Sequence, residues 1–192
     1  MQNTVLESPS GLKGSYNQME TITTSHPFPM IRGGGLFVSL IGLGIVAGAI
    51  RGEGQMALPL IAGAVAAVLA LSIFRRSLTL PLGVPTRTQV MALVGGILAE
   101  FILCGIVAYV FRNQEARLFW LWILLVVGFH LTIIAVAQGP LMLLLGVLCM
   151  ANAALGLWPS HVPFLLFWLA DGILKIIIGG WMFFGQPRWR LF

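Results

Sequence analysis

Residues 118–138 read LFWLWILLVVGFHLTIIAVAQ, with no Asp, Glu, Lys or Arg anywhere in the run. At about 1.5 Å of rise per residue, roughly 20 helical residues cross the ~30 Å hydrocarbon layer of a bilayer. In water, such a run would have to be covered on every side by the rest of the chain. That cover is missing, because the 192-residue sequence is 58% hydrophobic and only 9% charged. A soluble domain carries about 25% charged residues. Mean hydropathy is +0.96, so the surrounding medium must be largely lipid. The sequence therefore predicts an all-α fold, a polytopic membrane helix bundle.

Five further apolar runs flank this one: Gly34–Ile50, Met56–Phe74, Gln89–Phe111, Pro140–Trp158 and Phe164–Phe184. Gly, Pro and charged residues separate them, at Arg51-Gly52-Glu53-Gly54, Arg75-Arg76 through Thr88, Arg112 to Arg117, Gly139-Pro140 and Pro159 to Pro163. Six transmembrane helices are expected over residues 32–192. The first and fifth are the weakest, and five spans would be the alternative. Residues 1–31 are rich in Ser, Thr, Asn, Gln and Pro. They lack the apolar core of about 7–15 residues that a secretory signal needs, so they are read as a flexible cytoplasmic tail.

Leu40-Ile41-Gly42, Leu93-Val94-Gly95 and Leu144-Leu145-Gly146 recur in the odd-numbered spans, which would fit three repeated helical hairpins. Gly44 and Gly48 form a GxxxG pair, and Gly63/Ala67 and Ala66/Ala70 continue small-residue spacing on the second span. Such spacing lets helix backbones approach closely inside lipid.

The chain has 11 Lys and Arg against 6 Asp and Glu, a formal charge of +5. The basic residues stand singly or in pairs between apolar blocks, with no basic stripe that could track phosphates, so nucleic acid is not an expected partner. Their distribution instead predicts orientation. Lys13, Arg32, Arg75, Arg76, Arg87, Arg188 and Arg190 would lie on one side, and Arg51, Arg112 and Arg117 on the other. The richer side is cytoplasmic by the positive-inside rule, which places both termini there. Cys104 and Cys149 lie inside apolar runs and read as free thiols filling space.

Glu100, His130, Asp171 and Lys175 fall inside the spans, where a charged group costs about 2.5–3.5 kcal/mol near mid-helix unless it is paired or hydrated. Asp171 precedes Lys175 by one helical turn, so the two share a face and can pair directly. Phe164, Trp168, Gly179 and Met182 extend that face. On the third span, Ala92, Gly96, Glu100, Cys104 and Ala108 recur every four residues, and on the fifth Cys149, Asn152 and Gly156 form a similar polar-small face. The expected arrangement turns these faces inward. Lys175 would lie between Asp171 and Glu100, with His130 and Asn152 completing a buried polar network.

Three classes of function fit such a network. The first is small-solute or proton-linked transport, since buried carboxylate, lysine and histidine can trade protons. The second is an accessory or assembly subunit of a membrane complex, which needs only packing faces and accounts for the lack of catalytic motifs. It would engage a membrane-protein partner or a second copy of the chain. The third is a lipid-embedded enzyme using an intramembrane carboxylate as general acid. No metal is expected, for lack of HExxH or paired histidines, and GxSxG is absent. The run Leu169-Ala170-Asp171-Gly172-Ile173-Leu174-Lys175, followed by Gly179-Gly180, resembles the last helix of microbial rhodopsins. That resemblance implies retinal on Lys175 with Asp171 as counter-ion. It is confined to this stretch, and it departs from the family in having six spans for seven and no comparable Arg and Asp arrangement on the third. No cofactor is assigned from it.

Overall fold

A computed structural model describes residues 26–79, 82–158 and 161–185. Among these residues the chain forms six α-helices: α1 (Ile31–Arg51), α2 (Ala57–Thr79), α3 (Arg87–Val110), α4 (Ala116–Gln138), α5 (Pro140–Leu157) and α6 (Phe164–Phe184). A single 3-10 turn, Glu53–Gln55, joins the first two, and no strand occurs among the described residues. Every one of the six helices is long and apolar enough to span a membrane. The protein is an all-helical, multi-pass membrane bundle.

The helices outrun the apolar windows at several ends. α1 starts at Ile31 rather than Gly34, and α2 continues through Arg75 and Arg76 to Thr79. Hydropathy marks only the hydrocarbon-facing part, whereas backbone N–H and C=O groups go on needing helical partners until water is available. Stops are local. Gly52 and Gly139 close α1 and α4 with φ of 92° and 95°, a region that residues with a Cβ rarely adopt. Pro140 then opens α5 at once, where its missing N–H costs nothing. Thr86 and Gln89 form a capping box at the start of α3, and Gln89 Nε2 also donates to the Pro27 carbonyl at 2.7 Å.

That bond, with His26 N donating to Leu82 O at 3.0 Å, ties the chain preceding α1 to the α2–α3 connection. Ile31 is buried in the core, and Phe28 packs against the same cluster. Residues 1–25, most of the expected tail, lie outside the described residues.

Neighbouring helices follow the order α2–α1–α6–α5–α4–α3, so the first and last spans are principal partners. α1, short and glycine-rich as a span, is the most enclosed: half of its window is buried, against 11% for α2 and α3 at the two ends of the row. Glycine explains this. A Cβ at Gly42 would lie 2.7 Å from the Gly172 carbonyl oxygen, and one at Gly44 would lie 3.2 Å from the Gly63 Cα. α1 thus presents bare backbone to α6 on one face and to α2 on another, which gives close dispersion contact where lipid supplies no hydrophobic drive. The three similar Gly-containing motifs land in unlike places. Gly42 packs on α6 and Gly146 on Gly128 of α4, while Gly95 has open space.

Two apolar clusters fill the interior. One gathers Val38, Leu131, Ile134, Met142, Leu145, Ile178 and Met182. The other, toward the opposite membrane face, gathers Ile45, Met56, Leu121, Leu124, Ala153, Phe164 and Trp168. Trp168 Nε1 donates to the Ile45 carbonyl at 2.9 Å, a buried link between α6 and α1. His130, Asp171 and Lys175 fall along their helices between these clusters.

Candidate functional site

α6 contributes the centre of that layer. Its buried residues are Phe164, Trp168, Asp171, Gly172, Lys175, Ile178, Gly179 and Met182, the inward face expected from the one-turn spacing. Asp171 and Lys175 are 0% and 1% exposed. The Lys175 ammonium is paired with Asp171 Oδ2, and its Nζ also lies 3.7 Å from Cys149 Sγ on α5. Asp171 Oδ1 has no hydrogen-bond partner among the described residues. Two opposite charges buried together, each within reach of the other, avoid most of the penalty that either alone would carry.

Glu100 and His130 form the second part. α3 comes close to α4 at Gly96, where a Cβ would lie 2.6 Å from Ile134 Cγ2 and 3.3 Å from His130 Cδ2. One turn further along α3, Glu100 Oε2 reaches within 3.1 Å of His130 Nδ1. The approach lies off the N–H axis, and neither ring nitrogen has a hydrogen-bond partner among the described residues. His130 is buried, whereas the Glu100 side chain keeps 29% of its surface exposed at the edge of the bundle. Lys175 interacts electrostatically with both Glu100 and His130, so the two pairs share one field.

The structure thus arranges the expected network as two pairs. Lys175 lies between Asp171 and Cys149, not between Asp171 and Glu100. The reason is architectural: α3 packs on α4, so Glu100 meets a histidine of that helix first. Asn152 stands apart, donating through Nδ2 to the Phe167 carbonyl at 2.8 Å, and serves as a tie between α5 and α6. Sequence reasoning placed Cys149 on a polar-small face but gave it no partner. Its fully buried position beside Lys175 follows from how α5 is rotated, which spacing alone leaves open. Arg117 was read only as a topology signal. It donates to the Gly156 and Val162 carbonyls at 3.0 and 3.2 Å, joining the start of α4 to the α5–α6 connection.

This arrangement is suited to proton exchange. A carboxylate and an imidazole in near contact can pass a proton over a short distance, and a neighbouring ammonium changes the cost of charging either. Among the described residues no three His, Cys, Asp or Glu side chains come together to hold a metal ion. The space beside Asp171 that a cation would take is filled by the Lys175 ammonium.

No curated protein and no solved structure matches the chain. A family model described as a family of unknown function (DUF6609) matches residues 21–191, nearly the whole sequence, and the chain belongs to that family.

Proposed function

We propose that the protein is a proton-linked membrane transporter that passes protons down an electrical gradient without a second solute, with Glu100 as the exchanging group, assisted by His130 and biased by the Lys175–Asp171 pair. The observation that carries this reading is the carboxylate itself. It lies mid-span, keeps 29% of its side chain exposed at the bundle edge and stands 3.1 Å from a buried imidazole. A carboxylate held only for packing would be expected to hydrogen-bond fully within the protein. Mid-span, the uncovered part of the side chain meets acyl chains and not water, so its proton would pass by way of the unsatisfied His130 imidazole. The excess of basic residues beside one set of helix ends supports both termini being cytoplasmic.

The test is proton movement into vesicles. Purified protein is reconstituted with an entrapped pH-sensitive dye, and an electrical gradient is imposed with potassium and an ionophore. Wild type is expected to acidify the interior faster than protein-free vesicles, and Glu100→Gln to fall to the protein-free rate while remaining folded. Equal rates for wild type and Glu100→Gln, or no rate above protein-free vesicles, would overturn the proposal.

A second reading, an accessory or assembly subunit, is favoured by a different observation. Asp171 and Lys175 are sealed from every side, which suits a pair that fixes how α6 is rotated against its neighbours. Stable co-purification with one partner protein in mild detergent, together with unchanged proton rates in all variants, would support that reading instead.

A further inference from the structure

A shallow, open groove of about 470 Å³ runs along the outer surface between α1 and α2. Leu43, Gly44 and Ala47 of α1 and Ala62 and Ala66 of α2 line it, and Arg51 stands at one end. Its floor is the glycine contact described above, Gly44 against Gly63. Leu43, Ala47, Ala62, Ala66 and Arg51 are all exposed.

The dimensions match one leaflet. From Leu40, deep in the groove, to Arg51 the helix rises about 16 Å, roughly half of the ~30 Å hydrocarbon layer. Arg51 is the last residue of α1 and so lies at the level of the headgroups. We infer that the groove holds an acyl chain of an anionic phospholipid, with the lipid phosphate on the Arg51 guanidinium. Glycine and alanine leave room for a methylene chain to lie against helix backbone and gain dispersion contact along its length. Guanidinium and phosphate pair through two parallel N–H···O bonds. A helix of a second copy, about 10 Å across, would rest on the rim and leave the floor empty.

The experiment is native mass spectrometry of full-length protein purified with equal amounts of phosphatidylglycerol and phosphatidylcholine. Wild type should retain one phosphatidylglycerol in clear preference to phosphatidylcholine. Arg51→Gln should erase the preference. Ala62→Leu with Ala66→Leu, which fills the groove from exposed positions, should reduce retention of both lipids. Thermal unfolding close to wild type would show that these variants remain folded. Equal retention of the two lipids by wild type, an undiminished preference in Arg51→Gln, or a lipid-free dimer as the principal species would overturn the inference. None of these outcomes depends on whether Glu100 moves protons.

Discussion

Removing one member of the Asp171–Lys175 pair should have a different outcome from removing both. Asp171→Ala strands an ammonium that is 1% exposed, and loss of one partner of a buried pair costs about 3–5 kcal/mol. The double change Asp171→Leu with Lys175→Met replaces the pair by apolar groups, an exchange that is often neutral or stabilising. Unfolding midpoints in detergent should therefore drop sharply for the single variant and recover in the double one. If both lost stability alike, the pair would not be the unit that matters. Asn152→Ala should cost only about 0.6 kcal/mol, a typical interhelical hydrogen bond in membranes, read as a small midpoint shift without change in proton rate. The Asp171–Lys175 pairing was legible in the sequence because both members ride on one helix at one-turn spacing. The Glu100–His130 approach was not. Counting depth along two spans places both residues near the midplane but says nothing of which helices are neighbours around the bundle.

At the scale of the helix, glycines sort into those that touch and those that do not. Gly42→Ala would drive a Cβ to 2.7 Å from the Gly172 carbonyl oxygen, a backbone atom with little freedom to retreat, whereas Gly95 meets nothing within 4 Å. Thermal melts should show Gly42→Ala clearly destabilised. Gly95→Ala should be neutral, or more stable by up to about 1 kcal/mol through helix propensity. Equal effects would mean that the two Leu-x-Gly motifs have equivalent surroundings, as a true structural repeat would require. Span positions were readable because a lipid environment forces long apolar runs. The rank of the spans was not. α1 looked weak on account of the same glycines that make it the most enclosed helix, since a helix wrapped by other helices gains from closeness rather than from bulky apolar side chains. Small residues at four-residue spacing announce that a face packs, but they do not name the partner.

For the whole molecule, six spans put both ends of the described bundle on one side of the membrane. A membrane-impermeant maleimide added outside intact cells should label Gly54→Cys and Gln114→Cys, but not Ser15→Cys. Labelling of the last variant alone would reverse the proposed orientation. The pairing of α1 with α6 also bears on how the protein is made. α1 must stay in the bilayer with its Gly35 and Gly42 face uncovered until α6 has been synthesised. A nascent chain cut short before Phe164 would carry that gap permanently and should be removed by membrane proteases. Closure of the bundle therefore waits on α6, the helix that seals the glycine face of α1.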